Sequence, residues 1–170
     1  MEGGNGAIFV LNFSAGFLYH MGGLPGSFVV IDTGATESAG GLDAVTNLIA
    51  SLQARWPDLE YWVDRSDRPW FKYASGEWGR AASRVHAQLP VGMIAVYTLE
   101  ADTPVLFGSD LLDMLGANLC YHTNKLTLKK VVGQPVVSVD RAPSGHRLLD
   151  VGCLPEAGSD AAKTAAAPEE

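Results

Sequence analysis

A run of four apolar residues, Phe28-Val29-Val30-Ile31, stops on Asp32-Thr33-Gly34-Ala35-Thr36. A short, β-branched apolar run of this kind predicts a buried strand, which places a carboxylate where the strand leaves the core. An Asp at a strand end often does no more than shape a turn. The tripeptide Asp-Thr-Gly alone arises by chance in roughly 2% of chains of this length. It occurs once here, so its meaning depends on what accompanies it.

The rest of the chain reads as β structure with helical interruptions. Ala7 to Phe13 predicts a first strand, closed by Ser14-Ala15-Gly16, and Gly22 to Gly26 predicts a turn before the strand that ends at Ile31. After Gly40-Gly41, the apolar residues Leu42, Val45, Leu48, Ile49, Leu52 and Trp56 fall on one helical face, with Pro57 closing the helix. Asp43 in its first turn and Arg55 in its last suit the helix dipole. Leu59–Val63, Trp70–Tyr73, Ser83–Leu89 and Gly92–Leu99 follow as strands. Between the middle two, Gly76-Glu77-Trp78-Gly79 predicts a hairpin tip whose Trp78 is costly to leave in water.

A second strand-turn-helix unit lies at Val105-Leu106-Phe107-Gly108-Ser109-Asp110-Leu111-Leu112. Ser109 or Asp110 is expected to cap the short helix, and Gly116 to end it in the left-handed conformation. Asn118–His122 and Lys125–Leu128 read as paired strands, and Pro135–Val139 as one more. Leu148 to Leu154 has no regular pattern. From Pro155 onward no large apolar residue remains, so a disordered tail is expected over 155–170.

Composition narrows the function classes. With 170 residues and 47% hydrophobic content, the chain suffices for one domain with a core. Twelve Lys and Arg against nineteen Asp and Glu give a net charge of −7, which disfavours a nucleic-acid partner. Two cysteines, Cys120 and Cys153, fall short of a disulfide framework and point to a reducing, intracellular and cytoplasmic setting. No apolar run nears the ~20 residues a membrane span needs, and Glu2 with no preceding Lys or Arg argues against a signal peptide. No membrane partner is expected.

The two motifs together, Val30 to Thr36 and Val105 to Leu112 with Leu115-Gly116-Ala117, resemble a retropepsin, the aspartic protease of retroviruses and retrotransposons. The match spans roughly Gly22 to Leu128, and the helix Leu42–Trp56 together with the long C-terminal segment places it nearer the retrotransposon type. The resemblance implies an all-β fold, a closed acid-protease barrel, with the helix inserted after the active-site loop and a short helix after the second motif. It implies an N-terminal strand segment at 1–21, a protease core at 22–132 and an extension at 133–154 that could serve as a dimer contact.

The implied activity is peptide-bond hydrolysis by a homodimer in which each chain donates Asp32, acting on a polypeptide, in polyprotein processing, without cofactor or metal. Two carboxyl groups in one site cannot both ionise cheaply; one activates water while the other protonates the scissile carbonyl. Thr33 would bond across the pair, Gly34 would admit substrate backbone, Ala35 would pack beneath the loop and Glu37 would lie at the substrate edge. Gly76, Glu77, Trp78 and Gly79 would form a flap, and Leu106 and Gly108 would support the loop. The alternative is a dimeric binding or assembly module of the same fold without activity.

Other chemistries fit less well. Asp110 lacks the following Thr-Gly and sits at a helix start, where capping is the simpler role. Cys120, His122, His146 and Cys153 lack the short Cys-x-x-Cys spacing of structural zinc sites. No Gly-x-Ser-x-Gly turn supplies a serine nucleophile for His20, His86, His122 or His146.

Overall fold

The computed structural model describes residues 8–11, 26–73 and 75–156. Their strands, in chain order, are β1 (Ile8–Leu11), β2 (Phe28–Ile31), β3 (Ala39–Gly41), β4 (Tyr61–Asp64), β5 (Trp70–Tyr73), β6 (Trp78–Arg80), β7 (Ser83–Leu89), β8 (Gly92–Leu99), β9 (Leu106–Phe107), β10 (Ala117–Cys120), β11 (Lys125–Leu128), β12 (Val136–Ser138), β13 (Asp140–Arg141) and β14 (Arg147–Asp150). Helix α1 covers Leu42–Arg55 and α2 covers Ser109–Leu115. Of the tail expected over 155–170, Glu156 is instead held by Arg55 and by the Trp56 indole at 3.3 Å each, and 157–170 lie outside the described residues, as do the rest of the N-terminal segment 1–21 beyond β1, with its turn Ser14-Ala15-Gly16, and the turn residues 22–25.

Eight strands form one sheet in the order β13-β14-β2-β9-β3-β8-β7-β4, and two three-stranded sheets, β1-β5-β6 and β10-β11-β12, complete the β structure. The large sheet is open: among the described residues its terminal strands β13 and β4 do not pair with each other, so the expected closed barrel is not formed. The mostly-β character stands, with two helices added.

The two faces of this sheet carry separate cores. Side chains alternate along a strand, and on β7 the residues Ser83, Val85, Ala87 and Leu89 are buried while Arg84, His86 and Gln88 are less so. Val85, Ala87 and Leu89 join Ile94, Val96, Val29 and Phe107 against Val45, Leu48, Ile49 and Leu52 of α1. This is the apolar stripe read from the sequence. Leu42 departs from it, being 57% exposed at the first helical position. The opposite face packs Val30, Ala35, Leu106, Tyr97 and Phe71, the last reaching across from β5 with its ring edge-on to Tyr97 at 5.6 Å.

Two elements differ from expectation. Gly40 and Gly41 do not merely break the chain; they lie in β3, which pairs in parallel with β8 and antiparallel with β9. A Cβ on Gly40 would stand 2.9 Å from Val105, and one on Gly41 would stand 2.5 Å from the Ala101 carbonyl, so only glycine admits this approach. The unpatterned C-terminal stretch contains β14, which pairs antiparallel with β2 from Arg147 opposite Ile31 to Asp150 opposite Phe28. Leu149 and Val151 are buried there. Val136–Ser138, expected as a possible dimer contact, pairs with β11 of its own chain.

Candidate functional site

β2 ends beside β9, and the two run parallel with Ile31 opposite Phe107. The pairing continues one step further, because the Asp32 N–H donates to the Phe107 carbonyl at 3.0 Å. The chain then turns: the Ala35 N–H returns to the Asp32 carbonyl at 3.2 Å and the Gly34 N–H donates to Asp32 Oδ1 at 2.9 Å. After the turn it runs back as β3 on the other side of β9. Thus β9 is threaded between the two limbs of the loop that carries Asp32.

The start of α2 holds this loop from below. Ser109 N–H donates to the Ala35 carbonyl at 2.8 Å, and the Ser109 hydroxyl reaches the carbonyls of Ala35 and Thr36 at 3.3 Å each. Buried Ser38 accepts from the Gly108 N–H at 2.9 Å and donates to Asp110 Oδ1 at 2.7 Å. Neither Ser109 nor Asp110 caps its own helix, as the sequence had suggested; Gly108 is the N-cap and no side chain bonds there. Both residues are instead turned to the loop. Gly116 does end α2 in the left-handed region, at φ 61°. Gly108 itself is required, since a Cβ would lie 2.6 Å from the Ala35 carbonyl oxygen and 2.9 Å from the Glu37 carbonyl carbon.

Within this frame the side chains differ in environment. Ala35 is fully buried, Leu106 is buried behind it, and Thr33 and Gly34 are exposed. Asp32 Oδ2 is buried and, among the described residues, has no hydrogen-bond partner. An oxygen left in this state costs stability, of the order of 1–3 kcal/mol. On the other side of Thr33, a cavity of about 350 Å³ opens between the loop and α2, lined also by Leu112, Leu119 and Tyr121. The sheet that borders it ends on β10, which among the described residues pairs with β11 alone.

Glu37 lies in a second constellation. Its carboxyl group faces that of Asp110, with which it can share a hydrogen bond when one of the two is protonated, and Arg84 Nη2 of β7 stands 3.8 Å away. Burial first, and the Asp110 carboxylate second, push Glu37 up to about 7. Arg84 Nη1 pairs with Asp67 at 3.4 Å, its guanidinium lies 4.7 Å from the Tyr97 ring centre, and Tyr97 donates its hydroxyl to Asp67 at 2.7 Å. Burial and that bond to Asp67 drive the Tyr97 phenol well above its ordinary range.

The expected flap is a hairpin of β5 and β6. Gly76 occupies its tip at φ 87°, Tyr73 N–H donates to the Glu77 carbonyl at 2.8 Å, and Gly79 leaves room for the Tyr73 ring. Trp78 is 48% exposed and holds Lys72 Nζ 5.8 Å from its ring centre. Among the described residues the hydrogen bonds of the tip stay within the hairpin. Its connection to the Asp32 loop runs through Phe71 and Tyr73, which share a core with Val30 and Ala35.

The sequence reading did not single out Ser38, Asp67, Arg84 or Tyr97. The alternation along Ser83–Leu89 was the one local signal that could have marked Arg84 as facing away from the helix side, and nothing local related it to Glu37. Cys120 and Cys153 are free, and no cluster of three His, Cys, Asp or Glu residues is arranged for a metal among the described residues. No described helix is long and apolar enough to cross a membrane. Comparison with protein-family models, curated proteins and solved structures finds no match for this chain.

Proposed function

We propose that the chain is a retropepsin-like aspartic endopeptidase that becomes complete when two copies bring their Asp32 residues together. One observation carries this reading: Asp32 Oδ2 is buried without a partner among the described residues, at the end of a strand bonded on both sides. Buried polar atoms are rarely left unsatisfied, and those that are demand a cause. Asp32 as a whole is only partly buried, so a second carboxyl group can approach its accessible side and share one proton with it, which supplies the acid-base chemistry.

Asp110, the other carboxylate of the paired motifs, is already engaged by Ser38 and Glu37. The second carboxylate is therefore Asp32 of another copy. The side of β10 away from β11, unpaired among the described residues, and the cavity beside Thr33 offer the surface that such a copy would cover. In the complex, the ionised member takes a proton from water as it attacks the peptide carbonyl, and the protonated member donates to the carbonyl oxygen. No covalent enzyme intermediate forms.

The deciding experiment is titration with a statine-type transition-state mimic, followed by cleavage of a peptide library at mildly acidic pH. Binding of one inhibitor per two chains with cleavage supports the reading. A dimer that neither binds the inhibitor nor cleaves peptides is the inactive assembly module instead.

A further inference from the structure

We propose that Glu37 and Arg84 are positioning residues that couple the root of the β5–β6 hairpin to the Asp32 loop through a proton-dependent exchange of partners. The inference rests on the endopeptidase reading for its effect on turnover, but not for the conformational change itself.

The geometry supplies two alternatives for one carboxyl group. Glu37 lies on the loop that begins at Asp32, and it touches Asp110 at the start of α2. On its other side is Arg84 at 3.8 Å, too long for a strong direct bond. Among the described residues Arg84 Nε is buried without a partner, so the guanidinium has donor capacity to spare. Asp67 and Arg84 flank the hairpin in sequence, one before β5 and the other after β6, and their 3.4 Å ion pair pins its two roots together. The charged groups facing Glu37 are thus Asp110 from α2, Arg84 from β7 and Asp67 from the segment before β5, with the Tyr97 hydroxyl of β8 holding Asp67.

With a proton on Glu37, its carboxyl group shares a hydrogen bond with Asp110, which Ser38 holds in place. The loop is then fastened to α2, and Arg84 belongs to Asp67. When the proton leaves, Glu37 and Asp110 repel each other, while the new charge on Glu37 attracts Arg84. Glu37 thus exchanges Asp110 for Arg84, which keeps Asp67 through Nη1 and takes Glu37 through Nη2, so the loop loosens from α2 while the hairpin root gains a second carboxylate. Glu37 titrates near neutrality, so this exchange falls within a range where a few tenths of a pH unit matter.

Hydrogen exchange of the full-length protein tests this between pH 5.5 and 8.5, after correction for intrinsic rates. In the parent, amide protection over residues 33–38 falls about tenfold as pH rises through 7, while protection of the hairpin root rises. Glu37→Gln, which keeps the hydrogen bond but cannot ionise, removes both changes. Arg84→Gln removes the hairpin response and leaves that of the loop. Parent protection that is flat across pH 7, or a Glu37→Gln protein that keeps the parent's response, overturns the proposal. A hairpin response that survives in Arg84→Gln overturns the coupling. If these shifts occur and no peptide is cleaved at any pH, the partner exchange stands and the endopeptidase reading falls.

Discussion

The main-chain N–H of Asp32 donates to the carbonyl of Phe107 at 3.0 Å, so the candidate catalytic residue is held by backbone from the second motif. Main-chain bonding of this kind fixes where the carboxylate begins, independently of its own rotamer. It also makes the loop sensitive to changes at a distance in sequence.

Gly108→Ala tests that dependence. The added methyl group would meet the Ala35 carbonyl oxygen at 2.6 Å, and that oxygen is held by the Ser109 N–H. Overpacking of this type costs about 1–3 kcal/mol. Chemical denaturation should show the loss, and cleavage should fall because the Asp32 loop must shift.

Leu149→Ala tests the role of the C-terminal segment. Leu149 is buried on β14 against β2 and belongs to the helix-side core. Truncation should cost about 2–5 kcal/mol in unfolding free energy. Removal without measurable loss would mean that β14 is not part of the folded core.

Asp32→Asn separates function from folding. Cleavage should drop at least about 10²-fold, the contribution of a positioned acid-base group. Thermal stability should hold or rise, since the change removes a carboxylate with one buried, unpartnered oxygen. A variant that cleaves as the parent does would remove Asp32 from the mechanism.

Stability should also depend on Glu37 and pH. Its folded value of about 7 lies above the ordinary 4.5, so the folded chain retains a proton that the unfolded chain releases between these values. The neutral form's contribution is fully present below pH 4.5 and is lost as pH rises through 7. Thermal midpoints measured across this window should fall more steeply in the parent than in Glu37→Gln.

The two cysteines should differ in reactivity. Bonds from the side chain and backbone of Thr123, then the backbone of His122, hold the Cys120 thiol below its ordinary range, whereas the Asp150 carboxylate raises that of Cys153. Iodoacetamide near pH 8 should modify Cys120 first, as peptide mass analysis would reveal. Equal rates would contradict this assignment.

The legible parts of the fold were those whose signal is local. Helix α1 followed from the spacing of Val45, Leu48, Ile49 and Leu52, and the Gly116 terminus of α2 from the need for a left-handed residue. β14 escaped notice because Arg147-Leu148-Leu149-Asp150 acquires its strand character from pairing with β2, not from its own alternation. β3 escaped because glycine reads as an interruption, while its value here is that it allows Val105 and Ala101 to approach. The closed barrel was inferred by resemblance, and the large sheet is open among the described residues.

For the candidate site, the sequence alone determined the chemistry on offer: a carboxylate at a buried strand end, small residues after it, and a second strand-turn-helix unit to support it. Tertiary structure decided which groups meet. It left Asp32 Oδ2 unpartnered, turned Ser109 and Asp110 from helix capping to the loop, and brought Arg84 to Glu37. The physical reason is that strand and turn signals act over a few residues, whereas hydrogen bonding and desolvation depend on groups that only the threaded sheet brings together.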